Sequence, residues 1–225
     1  MPGDPLYAIL DADACALRGL PLPTVGEALC RAEPAILQLR AKGRSAHEIL
    51  EWLSQLRVWT RLHGTLLFMN DRADLAELAG CDGVHVGQQD QPIASVRRHF
   101  PRLRVGVSTH SKEEFERAIA ERPDYVAFGP VFATGSKRES EPVTGLDELT
   151  RLAPRARGLG VPVVAIGGID LARAPLVASQ VDYVAAIAAL LPPKGAGGAG
   201  EASLAAAVFD LTRAYAAACR RTQPS

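Results

Sequence analysis

An excess of charge of either sign is missing from this chain. Lys plus Arg and Asp plus Glu each number 25 among 225 residues, a formal net charge of +0. A balanced chain gives no electrostatic ground for nucleic acid or an anionic membrane as partner, so any cationic site must be local. Long apolar runs are missing too. No stretch reaches the roughly 20 residues of a membrane span, and the run 181–191 is short and begins beside a charge. The first residues, MPGDPLYAILDAD, lack a basic start and interrupt their apolar run with Asp4, Pro5 and Asp11, which does not read as a signal peptide. A soluble, cytoplasmic protein is expected. Cysteine is sparse: Cys15, Cys30, Cys81 and Cys219 form no CxxC pair, which argues against a zinc site and for reduced, buried thiols.

What is present is hydrophobic mass, 48% of the residues, arranged as short apolar runs at 6–10, 35–39, 66–69, 84–86, 105–107, 125–128, 163–166 and 183–187. Continuous runs of this kind fit strands buried on both faces of a parallel sheet. Between them the segments 46–62, 75–79, 92–99, 112–121 and 146–156 carry helical spacing, with Ile49, Leu53 and Leu56 on one face and Ser45 and Ser111 placed as N-caps. Eight strand–helix units in a chain near the roughly 250-residue norm predict an α/β fold, a single-domain (β/α)8 barrel of the TIM type over residues 1–225. An open doubly wound sheet is the competing architecture. It is disfavoured because Asp11-Ala12-Asp13 stands after the first run, where a glycine-rich dinucleotide turn would be needed. The small-residue stretch 194–202 (KGAGGAGEA) reads as a flexible loop before an apolar helix at 203–219. Its glycines could otherwise approach a phosphate, but no Lys–Ser/Thr pair follows as in a P-loop.

A barrel carries its chemistry at the C-terminal ends of its strands, and here most ends are polar. They carry Gln38, Arg40 and Lys42; Asn70, Asp71 and Arg72; His85 with Gly87-Gln88-Gln89-Asp90; Ser108 and His110; Thr134-Gly135-Ser136-Lys137; and Gly167-Gly168. Singly these are ordinary: Asn-Asp is a common turn, Gly-Gly common punctuation, and a lone His in an apolar run is usually a satisfied core residue. Their recurrence at one end of successive units points to a shared mouth. Three cations (Arg40, Lys42, Lys137) with two carboxylates (Asp71, Asp90) suit a Mg²⁺-bound diphosphate. Backbone N–H groups near Gly167-Gly168 suit a second phosphate.

The segments Gln38-Leu39-Arg40-Ala41-Lys42-Gly43, Asn70-Asp71-Arg72, Gly83 to Asp90, Gly106-Val107-Ser108, Gly129 to Phe132, Thr134 to Lys137 and Ala165 to Ile169 resemble the thiamine phosphate synthase family in order and spacing. The resemblance runs from about residue 6 to residue 190. It implies an enzyme that joins a hydroxymethylpyrimidine diphosphate to a thiazole phosphate through a dissociative carbocation, with Mg²⁺ as cofactor. Gln38 would hold the pyrimidine, with His85 nearby. Arg40, Lys42, Asn70 and Lys137 would bind the diphosphate, and Asp71 and Asp90 the metal. Ser108 would lie at the reaction centre; Ser108, Lys137 and Arg40 form the implied catalytic set. Thr134, Ser136, Gly168 and the backbone of Ile187 and Ala188 would receive the thiazole phosphate. Ala188 stands where the family usually has Ser, Ser136 where Thr is common, and Gln89 where Glu is common. Two rival readings are a thiazole tautomerase, a paralogue generally lacking the metal-binding acids, and a non-catalytic thiamine- or thiazole-phosphate-binding barrel. The expected partners are small-molecule substrates, with self-association left open. The charged stretch 138–143 is expected to form a lid over them.

Overall fold

The computed structural model describes residues 5–134 and 142–220. Eight strands are all parallel: β1 (Leu6–Asp11), β2 (Ile36–Arg40), β3 (Leu66–Asn70), β4 (Gly83–Val86), β5 (Arg104–Thr109), β6 (Tyr125–Phe128), β7 (Val163–Ala165) and β8 (Tyr183–Ala186). Each pairs with its successor, and β8 pairs with β1 through Leu6↔Val184 and Ala8↔Ala186, which closes the barrel. The expected (β/α)8 architecture is therefore observed.

Strand alternation sorts the apolar residues into two cores. Leu6, Ala8 and Leu10 of β1, with Leu37 and Leu39 of β2 and Val105 and Val107 of β5, face outward and pack under the helices. Tyr7 and Ile9, Ile36, Phe68, Tyr125, Ala127, Val164, Tyr183 and Ala185 fill the interior. Two glycines make room for the rings in this inner core. A Cβ on Gly106 would lie 1.9 Å from Cζ of Tyr125, and one on Gly83 2.4 Å from Phe68.

The helices are α1 (Ala12–Arg18), α2 (Leu22–Arg31), α3 (Ala46–His63), α4 (Ala73–Leu78), α5 (Ile93–His99), α6 (Lys112–Ala120), α7 (Leu146–Gly158), α8 (Ala174–Ala178) and α9 (Glu201–Arg220). Ser45 caps α3 in a reciprocal box with Glu48, and Ser111 caps α6, as their positions predict. The sequence pattern does not reveal α1, α2 or α8. Of these, α2 holds Pro23, Thr24, Val25 and Gly26, all poor helix formers. Packing overrides propensity there: a Cβ on Gly26 would lie 2.7 Å from Leu56 of α3. The 194–202 stretch contains a 3₁₀ turn (Ala196–Ala199), and α9 begins within it at Glu201.

The N-terminal rim of the barrel is fastened by three aspartates. Asp82, Asp124 and Asp182 stand immediately before β4, β6 and β8. Each accepts a backbone N–H from the strand before: Leu67 at 2.8 Å, Val105 at 2.9 Å and Val163 at 2.8 Å. In a barrel this rim contributes stability, and the opposite rim is left for chemistry. No helix among the described residues is long and apolar enough to cross a membrane.

Candidate active site

Twelve of the residues singled out from the sequence are described, and all lie on the C-terminal rim or just inside it. Ser136 and Lys137, and positions 138–141 of the expected lid, lie outside the described residues.

On the β2–β3 side, Arg40 ends β2 and points its Nη1 at Oδ2 of Asp11, the last residue of β1, at 2.5 Å. Asp11 is 1% exposed, and its Oδ1 accepts the N–H of Ala14, capping α1. One buried carboxylate thus fixes both the first helix and a mouth arginine. Beside this pair, Lys42 Nζ lies 3.2 Å from Oδ2 of Asp71. Asp71 takes a left-handed backbone conformation with φ 63°, which is strained for a non-glycine residue. Its N–H is held by the His85 carbonyl at 2.8 Å. That turn sets the Asp71 carboxyl beside Asp90. Burial, and then the neighbouring Asp90, push the Asp71 carboxyl above the usual carboxylate range, against the pull of Lys42. Asp90 also closes a turn by accepting the N–H of Gly87 at 2.7 Å. A cavity of about 290 Å³ opens here, lined by Lys42, Arg44, Asn70, Asp71 and Arg72 among others.

Two carboxylates at such range repel unless a proton or a cation lies between them. Mg²⁺ is commonly held by one or two carboxylates, with water and substrate phosphate completing its shell. Asp71 and Asp90 fit that requirement. Among the described residues no group of three or more His, Cys, Asp or Glu is placed to hold a metal ion.

Deeper in the barrel a chain of hydrogen bonds crosses six strands. Ser108 Oγ meets His85 Nε2 at 2.7 Å, and His85 Nδ1 meets the Tyr125 hydroxyl at 2.8 Å. Tyr125 meets the Tyr7 hydroxyl at 2.7 Å. Tyr7 donates to Gln38 Oε1 at 2.6 Å, and Gln38 Nε2 donates to Asn70 Oδ1 at 2.9 Å. Gln38, Asn70, His85 and Ser108 are thus joined through two tyrosines that sequence reasoning counted only as strand hydrophobics. Strand parity was the available signal: Tyr7 lies four residues before Asp11 on the same face of β1.

On the β6–β8 side the loops close against one another. Val131 N–H donates to the Ile166 carbonyl and Phe132 N–H to that of Gly167. A Cβ on Gly167 would lie 2.5 Å from Pro130, and one on Gly168 2.5 Å from the Ala133 carbonyl oxygen. Both glycines have positive φ, so this close approach requires glycine. Thr134 continues the same loop. Ile187 and Ala188 open a 3₁₀ turn that Arg18 clamps. Its Nη1 donates to the carbonyls of Leu191 at 2.8 Å and Pro192 at 3.0 Å. Asp11, Tyr7, Tyr125, Arg18 and Arg44 are the mouth residues that the sequence reading passed over.

Comparison with known proteins places the chain in a family. Residues 6–190 match the family described as Thiamine monophosphate synthase. A thiamine-phosphate synthase of Methanocella arvoryzae is 38% identical over 188 residues, 83% of this chain and 86% of that protein. One from Chloroflexus aurantiacus is 36% identical over 187 residues, 83% of this chain and 84% of that protein. Among solved structures, a thiamine phosphate pyrophosphorylase from Pyrococcus furiosus superposes with a TM-score of 0.80 at 30% identity, covering 99% of this chain and 98% of that one. A tryptophan synthase alpha chain from Legionella pneumophila, at 19% identity and a TM-score of 0.64, shares the fold alone.

Proposed function

The chain belongs to the thiamine monophosphate synthase family, and we propose that it joins a hydroxymethylpyrimidine diphosphate to a thiazole phosphate, releasing diphosphate in a Mg²⁺-dependent reaction. The observation that carries the reading is the Asp71 carboxyl, which neighbours Asp90 and Lys42 and lines a cavity of about 290 Å³. A thiazole tautomerase has no diphosphate to bind and no use for that pair.

Asp71 and Asp90 would hold the metal, whose chemistry when bound is to neutralise charge on the leaving diphosphate. Lys42 and Arg40 meet the remaining diphosphate charge, Arg40 being held in aim by Asp11. Gln38 holds the pyrimidine end and is tied to Asn70, which joins Lys42 and Arg40 at the diphosphate; His85 and Ser108 face the same interior. The thiazole phosphate is assigned to the opposite wall, at Thr134, Gly168, Ile187 and Ala188. Ala188 offers no hydroxyl there, so the backbone at Ile187 and Ala188, in the turn held by Arg18, would receive the phosphate instead. Ionisation of the pyrimidine methylene and attack by the thiazole nitrogen need no enzyme nucleophile. The protein aligns the partners and stabilises the leaving group.

The test is a turnover assay with both substrates, with Mg²⁺ or with chelator. Thiamine phosphate formed only with Mg²⁺ supports the reading. Absence of product at saturating substrate would overturn it in favour of a binding-only or tautomerase barrel. Product that persists in excess chelator would overturn the metal assignment.

A further inference from the structure

The hydrogen-bond chain inside the barrel has a direction, which follows from counting protons. Each phenol carries a single hydrogen. Tyr7 gives its own to Gln38 Oε1, so at its 2.7 Å contact with Tyr125 it accepts. Tyr125 has then spent its hydrogen on Tyr7 and must accept from Nδ1 of His85 at 2.8 Å. A neutral imidazole with its hydrogen on Nδ1 has a bare Nε2, which at 2.7 Å takes the hydroxyl hydrogen of Ser108. Both phenols keep their hydrogens because burial pushes their ionisation well above the usual tyrosine range. The placement is built in: Gly106 leaves the space that the Tyr125 ring fills, and the His85 ring stacks on Tyr125 at 14°.

We propose that Tyr7 and Tyr125 are positioning residues that lock His85 as its Nδ1–H tautomer and so make the Ser108 hydroxyl a hydrogen-bond acceptor toward the mouth. With its hydrogen committed inward, Ser108 offers lone pairs to the substrate. Its partner is therefore an N–H donor, such as an amino substituent on the pyrimidine, and not a phosphate oxygen. Hydrogen bonds aligned head to tail polarise one another. The acceptor strength of Ser108 Oγ thus rises with every link, which favours a substrate amino group whose positive charge grows at the transition state. This consequence for catalysis rests on the function proposed above; the tautomer does not.

The tautomer is read in the free protein by nitrogen NMR of ¹⁵N-histidine-labelled chain, at a pH where the ring is neutral. The His85 signals are assigned by their absence from His85→Gln. The expected spectrum has a protonated Nδ1 and a bare Nε2. Tyr7→Phe is the decisive variant because Tyr7 is bonded to Tyr125 and not to the imidazole. Without an acceptor at Tyr7, Tyr125 turns its hydrogen toward Nδ1 and the chain reverses, moving the imidazole hydrogen to Nε2. The same variant is expected to lower kcat about 10-fold, with KM for the pyrimidine diphosphate changed by less than about twofold, as for loss of an interaction made chiefly in the transition state. An Nε2–H tautomer in the unaltered protein overturns the proposal. So does an unshifted tautomer in folded Tyr7→Phe. If Tyr7→Phe does not fold, the spectrum of the unaltered protein decides alone. Because no substrate is present, this result is independent of whether the turnover assay succeeds.

Discussion

Replacing Asp11 separates two roles that a single carboxylate performs. Its Oδ1 caps α1 through the Ala14 N–H at 2.7 Å, and its Oδ2 meets Arg40 at 2.5 Å. Asp11→Ala deletes both. Loss of an N-cap typically costs about 1 kcal/mol. Stripping a buried charge of its partner costs roughly 3–5 kcal/mol. The Arg40 side chain retains 15% exposure and can recruit water, so we take about 2 kcal/mol, below that range. The sum of about 3 kcal/mol corresponds to a Tm lowered by roughly 6–12 °C in a chain of this size. Asp11→Asn keeps a good cap and an oxygen facing Arg40, losing only the charge. Its cost should be about 1–2 kcal/mol, roughly 2–8 °C. Thermal unfolding by circular dichroism reads both, and substrate kinetics read the loosened Arg40 as a KM for the pyrimidine diphosphate raised in both variants. Equal Tm losses in the two would refute the division of labour. A KM left unchanged in Asp11→Ala would refute the idea that Asp11 aims Arg40.

Gly106→Ala places a methyl 1.9 Å from Tyr125 Cζ. Overpacking of this kind costs about 1–3 kcal/mol, so a lower denaturation midpoint and a sharp loss of turnover are expected. Asp124→Ala unfastens the opposite rim, leaving the Val105 N–H without its 2.9 Å acceptor. It should lose about 1–3 kcal/mol with KM for both substrates unchanged, and a shifted KM would mean that the two rims are coupled. Burial raises the thiols of Cys15, Cys30 and Cys81 to about 12 each. Their folded values exceed their unfolded ones, so their contribution is complete below the ordinary thiol pKa and is lost as pH rises toward about 12. The stability curve should fall through that alkaline window, and fall less steeply in a Cys30→Ala protein. Asp90→Ala should remove most Mg²⁺-dependent turnover, whereas Asp4→Ala should leave it intact; equal activities would overturn the metal assignment.

The barrel was legible because its strands announce themselves. Runs such as Tyr125–Phe128 are apolar on both faces, and only a parallel sheet covered by helices buries them fully. Polar residues just past those runs marked the mouth for a similar reason: strand ends in a barrel all emerge on one rim. Helix starts with strong local chemistry, Ser45 and Ser111, were equally plain. By contrast α2 was hidden, because Gly26 is there to let α2 approach Leu56, a demand set by a neighbour more than twenty positions away.

What the sequence determined by itself is the inventory: eight buried runs, and Gln38, Arg40, Lys42, Asn70, Asp71, His85, Asp90 and Ser108 at their ends, each placed by local periodicity. What only tertiary structure decided is which of these touch. The pairing of Asp71 with Asp90, the hold of Asp11 on Arg40 and the passage from Ser108 to Gln38 through Tyr125 and Tyr7 all join different strands. Barrel closure and strand register fix such contacts, and no short-range pattern encodes either. A tyrosine in a strand reads as hydrophobic until the fold shows where its hydroxyl ends.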